Sequence, residues 1–329
     1  GIASLKDIRI LSNSDYGIKS DADTVNLNKV IVSNNNLGGI HCNRGNFEEV
    51  EVKGHIGFGI SCNGGNFTKL RVVNNGSAGL ALEVYKRYEN QGDSYIENSV
   101  IKDNGGTGIV LGLRKTAIIN DVIVNNNNDG GIAYEDKGIT GSRLTIKNST
   151  IFGNRATSTG SSVTRGAGGG IFIINGETKI INSVIASNSA DGSYGGGICI
   201  RGNTTIRKTT IVNNSLNGFG GGLSIARDAE IHNVNVLNNH SSEQGDGIYV
   251  RNIFNELDIS NLNIIRNGGG VHNGSDKKAQ LINNWWGEES GPYHPNENLT
   301  GEGDSVNILT DIDPWLTTPD TTAPPIPPL

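Results

Sequence analysis

Apolar residues in this chain fall in short alternating stretches, such as Val30-Ile31-Val32 and Ile198-Cys199-Ile200. Alternation with a period of two, favouring β-branched residues, predicts strands. No segment sustains a helical period with caps. The stretches sit inside a repeated phrase: an apolar residue, two more residues, an Asn, a loop, then Gly and an apolar residue. Ile185-Ala186-Ser187-Asn188 followed by Gly197-Ile198 is one instance. Marking the residue three after the apolar one gives Asn13, Asn34, Gly54, Asn74, Asn104, Asn126, Asn154, Asn188, Asn214, Asn239 and Asn267. The matching pairs run from Gly17-Ile18 and Gly39-Ile40 to Gly247-Ile248 and Gly270-Val271.

Spacings between the marked positions are 21, 20, 20, 30, 22, 28, 34, 26, 25 and 28 residues. Such a period means a solenoid, whose units bury a thin strip against their neighbours. Leucine-rich repeats have similar lengths but need a leucine-dominated consensus that is missing here. The expected fold is all-β: a right-handed parallel β-helix of about eleven coils. In it the marked Asn residues form a ladder, each tolerating the left-handed backbone of a sharp bend and bonding its amide to the coils above and below. Gly before the apolar residue is expected to admit positive φ and close coil-to-coil approach.

Residues 1–280 are read as the helix. Residues 281–316 hold all three tryptophans (Trp285, Trp286, Trp315) and are read as a cap over its open end. A tryptophan platform for sugar stacking is the alternative reading of that segment. Residues 317–329, rich in Pro and Thr, are read as a linker to a downstream domain. Cys42 and Cys62 occupy the same place in successive repeats, so stacked strands bring their Cα atoms to ~4.8 Å, within disulfide range. Two stacked thiols and a disulfide both fit that spacing.

Composition narrows the function. Apolar content is 35 %, aromatic content 5 %, and the formal charge is −6. The last argues against nucleic acid as a partner, and the absence of a run of 18 apolar residues argues against membrane insertion. With no Met and Gly at position 1, the chain reads as one monomeric module of a larger multi-domain protein. Asn-x-Ser/Thr sequons, Asn66 and Asn148 among them, fit an exterior location.

The coils resemble the right-handed parallel β-helix repeats of the pectin-lyase-like superfamily. The tail Asn283-Asn284-Trp285-Trp286-Gly287, Ser290-Gly291-Pro292, Gly301-Glu302-Gly303-Asp304 and Pro314-Trp315-Leu316 is similar to a cap recurring in large microbial surface proteins. The resemblance implies a secreted or cell-surface, carbohydrate-facing protein. The Asn-Thr-Asp, Asp-Asp and Gly-His-Gly set of polygalacturonases is missing, as is the Arg-x-Pro-x-x-Arg stretch of pectate lyases. Gly54-His55-Ile56-Gly57 is no substitute, and His55 is read as structural.

Candidate chemistry therefore comes from the breaks in the repeat. Three residues past the apolar member of the Gly-apolar pair, successive coils carry Glu83, Gly112 and Glu135. Carboxylates two coils apart are ~9–10 Å apart at their backbones, and inverting glycosidases place carboxyl groups ~6.5–9.5 Å apart. Tyr85, Arg87, Tyr88, Tyr95, Arg114, Asp136 and Lys137 are expected to bind substrate around them; a lyase would instead use an Arg or Lys base. No cofactor is required, though Asp- and Asn-rich turns could take calcium. Three functions stay open at this point. They are a polysaccharide-binding module, a polysaccharide hydrolase or lyase, and a rigid spacer.

Overall fold

The computed structural model describes residues 1–83, 93–113, 115–136, 141–158, 165–253 and 257–326. Every pairing between its named strands is parallel, and each joins residues one repeat apart. Val25 lies opposite Gly45, and Gly45 opposite Gly65. The phrase thus winds into a parallel β-helix, because alternating strands with one apolar edge bury it only by stacking on their own copies.

Three faces enclose the core. The first contains the Gly-apolar strands, including Leu80–Glu83, Ile109–Leu113 and Ile132–Asp136. The second includes Thr24–Asn28, Gly45–Glu48 and Arg143–Lys147. The third includes Ile31–Ser33, Glu51–Lys53 and Thr150–Phe152. Ile60, Leu80, Ile109, Ile132, Ile171, Ile198, Leu223 and Ile248 form one fully buried column. Each contributes roughly 1.5–3 kcal/mol of hydrophobic stabilisation.

The ladder is real but sits in a corrected register. Left-handed backbone occurs at Ser12, Asn34, Gly54, Asn74, Asp103, Asn126, Gly153, Ser187, Asn213, Asn238 and Arg266. The side chains that bond from coil to coil belong to the next residue each time, buried at every position but Asn13. They run Asn13, Asn35, His55, Asn75, Asn104, Asn127, Asn154, Asn188, Asn214, Asn239 and Asn267. Asn34, Asn74 and Asn126 are therefore corner residues with exposed side chains, while Asn13, Asn104, Asn154, Asn188, Asn214, Asn239 and Asn267 are rungs. One residue cannot do both jobs. A corner side chain projects outward, and the amide that satisfies the turn must point in.

A typical rung is Asn188. Its Oδ1 accepts from both N and Nδ2 of Asn154 at 3.0 Å. Its Nδ2 donates to Asn214 Oδ1 at 3.0 Å and to Ile151 O at 2.9 Å. His55 fills the gap by the same pattern. Its Nδ1 accepts from Asn35 N at 3.0 Å, and its Nε2 lies 3.2 Å from Val32 O.

The glycines also differ from expectation. No positive φ is found at Gly39, Gly59, Gly79, Gly108, Gly131, Gly170, Gly197, Gly222 or Gly247. Close approach is what they supply. A Cβ on Gly197 would meet Gly222 O at 2.6 Å and Asn214 Cγ at 3.0 Å.

Beyond Gln280 the chain makes a further turn over the end. Ser305–Val306 pairs with Gly269–Asn273, and Thr310–Asp311 pairs with Ala279–Gln280. Trp286 is fully buried in the main core and Trp285 nearly so, which leaves neither ring a free face for a sugar. Asp304 closes the ladder, its Oδ2 taking N and Nδ2 of Asn267 at 2.8 and 2.7 Å. Residues 320–324 lie along the third face. Asp320 N bonds Asn263 Oδ1 at 2.7 Å, and Pro324 O takes Asn235 Nδ2 at 2.8 Å.

Candidate functional site

The strands of the first face carry two outward rows, because side chains alternate across each strand. One row passes through Ala133, Phe172, Cys199, Ser224, Tyr249 and His272. The other passes through Glu135, Ile174 and Arg201. In the backbone register Glu83 and Glu135 both pair with Gly112, so the two positions lie two coils apart.

Glu135 and Asp136 are half-buried at the end of strand Ile132–Asp136. Tyr95 is not brought to them. It stands on the second face opposite Asn66 and Ile118, 39 % exposed. Tyr85, Arg87, Tyr88, Arg114 and Lys137 lie outside the described residues. No three His, Cys, Asp or Glu side chains converge as a metal site among the described residues, and none of their helices could cross a membrane.

Two features further along this flank were not assigned a role from the sequence. The first is a cleft of about 640 Å³ where the first face turns into the second. Asn175, Glu177, Arg201, Asn203, Thr205 and Arg227 are among its lining residues. Ion pairs hold two of its lining carboxylates, with Arg143 Nε 2.9 Å from Glu177 Oε2 and Arg207 Nη2 3.4 Å from Glu230 Oε2. Both pairs are solvent-exposed and add little stability. They fix side chains at the rim instead.

The second feature is an aromatic column beside the cleft. Tyr194 stacks on Phe219 with ring centroids 6.0 Å apart; Phe219 meets Tyr249 at 4.9 Å, and Tyr249 stacks on His272 at 5.9 Å and 13°. Arg251 sits 4.8 Å above the Tyr194 ring, and Arg201 lies 5.4 and 5.9 Å from the Phe172 and Tyr194 rings. Arg201 thus belongs to both column and cleft. All four rings of the column are half-buried. Burial pushes the Tyr249 hydroxyl up and the His272 imidazole down from their ordinary values, so both groups are neutral near pH 7.

What defines this molecule is a parallel β-helix with a polar cleft and a stacked aromatic flank. No protein-family model matches the sequence, and comparison with curated proteins gives no match. A solved structure, the crystal structure of pectate lyase Pel9A, is similar at 17 % identity with a TM-score of 0.42 over 80 % of this chain and 68 % of that one.

Proposed function

We propose that the chain is an extracellular or cell-surface module that binds polysaccharide along the outward side of the Gly-apolar strands. What supports the reading is the half-buried column of Tyr194, Phe219, Tyr249 and His272 beside a polar cleft. Aromatic rings suit sugar rings because their bodies are apolar and their tips polar. Asn, Thr, Glu and Arg side chains in the adjoining cleft supply the hydrogen bonds that orient hydroxyl groups. Binding is tested by affinity electrophoresis against neutral and acidic polysaccharides. Retardation by at least one polymer is expected, weakened in Tyr249→Ala and Arg251→Ala. Equal mobility of all three proteins in every gel rules the reading out.

A second reading, glycan cleavage, draws on the Glu83–Gly112–Glu135 register. Here one carboxyl protonates the leaving oxygen while the other activates water. Reducing ends, or the absorbance of unsaturated products, report turnover by hydrolysis or elimination. Turnover that persists in Glu83→Gln and Glu135→Gln removes the carboxylate pair. With neither binding nor turnover the rod is a spacer.

A further inference from the structure

A cluster next to the cleft joins a nucleophile to a base, with Asp258 directly opposite the cleft-lining Glu230. On the second face, Asp258 and Ser260 are two residues apart in strand Leu257–Ile265 and so project on the same side. His232 lies directly opposite Ser260 on the preceding coil. Its Nδ1 is 2.9 Å from Ser260 Oγ, and its Nε2 is 3.3 Å from Asp258 Oδ2. Ser260 Oγ also lies 3.3 Å from Asp258 Oδ1. The imidazole is only 14 % exposed, which holds it in place.

A cleft of about 550 Å³ opens beside these groups, lined by Asp258, Ser260, Lys277, Lys278, Gln280 and Asn283 among others. Lys278 is held there by Glu297 at 3.2 Å. The backbone of Ile259 faces the cap side of the strand, where its carbonyl accepts Asn284 Nδ2 at 3.0 Å. The pleat turns the Ile259 N–H the same way. Nucleophile, base, orienting carboxylate, a backbone donor and a basic cleft wall therefore meet at one place.

We propose that Ser260, His232 and Asp258 form a hydrolytic site for short acyl esters, with the acyl group seated in the Lys277–Lys278 cleft. Ser260 Oγ attacks the ester carbonyl carbon while His232 Nδ1 takes its proton. The Asp258 carboxylate, 3.3 Å from Nε2, stabilises the imidazolium that forms. The oxyanion is met by the Ile259 N–H and the positive wall of the cleft. The bond from carbonyl carbon to alcohol oxygen then breaks, and His232 returns the proton to that oxygen. Water repeats the steps on acyl-Ser260 and releases the carboxylic acid. Nothing is oxidised or reduced, and no cofactor enters. Ser260 and His232 are the catalytic residues; Asp258 acts through His232 and is a positioning residue.

The test uses the full chain with p-nitrophenyl acetate and a fluorophosphonate probe. The expected results are covalent labelling mapped to Ser260 and ester turnover that falls about 100-fold or more in Ser260→Ala and His232→Ala. Asp258→Asn is expected to lose less, and to lose it in kcat with KM unchanged. Labelling of the unaltered protein needs no variant, so a variant that misfolds cannot mask the answer. Absence of label from Ser260, or undiminished turnover in Ser260→Ala, overturns the proposal. That result leaves the polysaccharide reading untouched, since the aromatic column of Tyr194, Phe219, Tyr249 and His272 that supports it shares no residue with this cluster.

Discussion

At the residue scale, His55 shows how far the ladder tolerates replacement. An imidazole with Nδ1 unprotonated offers one acceptor and one donor, the same pair an Asn rung presents. Protonation would set a second ring N–H, at Nδ1, against Asn35 N–H, and burial already holds His55 below its ordinary value of 6.5. The sign follows from linkage. Above about 6.5 both folded and unfolded chains carry neutral His55, and its contribution is fully present. As the pH falls, the unfolded chain takes the proton first, so stability declines until the folded value is passed. His55→Asn is expected to flatten the fall in urea midpoint between pH 7 and 5. His55→Ala should cost about 1–3 kcal/mol by stranding its buried partners. Cys42 and Cys62 are free thiols that lie directly opposite one another, with sulfurs 2.6 Å apart and both side chains buried. Refolding with oxidised glutathione should therefore leave only Cys199 open to alkylation in denaturant. Reduction should then cost about 3 kcal/mol, the loop-closure contribution of a coil-sized ring.

At the element scale, the Gly-apolar strands show what a sequence can and cannot give away. The repeat period and the alternation were legible because each coil must bury the same strip. The division of labour at the corner was not. Asn34-Asn35, Asn74-Asn75 and Asn126-Asn127 are doublets, and only packing tells which member turns the chain and which faces in. Gly79 and its equivalents supply the expected close approach without the expected positive φ. Gly222→Ala should therefore destabilise by about 1–3 kcal/mol through overpacking against Gly247 O and Asn239, seen as a lower unfolding midpoint with no change in far-ultraviolet circular dichroism. The aromatic column escaped the sequence because its members come from different offsets. Tyr194 and Phe219 arrive on loops, Tyr249 and His272 on strands. An aromatic residue recurring just after the apolar member of the pair, as in Ile248-Tyr249 and Val271-His272, was the available signal. Loss of the Tyr249 ring should weaken glycan binding about two- to tenfold, the range of one ring contact.

At the scale of the whole molecule, the rungs share an orientation. From Asn75 onward every amide presents oxygen toward the first residue and NH2 toward the last. His55 interrupts the side-chain series, since its Nε2 turns to Val32 O instead of to Asn75. Aligned amide dipoles sum, as peptide dipoles do along an α-helix. The rod therefore carries an internal axial field made of side chains, positive toward the end where the carboxyl of Asp304 receives it. Cutting such a series in the middle leaves two short dipoles, whereas trimming its end shortens one. Polarised hydrogen bonds strengthen one another, so Asn154→Ala should cost more than Asn75→Ala, at the end of the series, by more than the difference in burial explains. Denaturation midpoints of the two variants measure that excess directly.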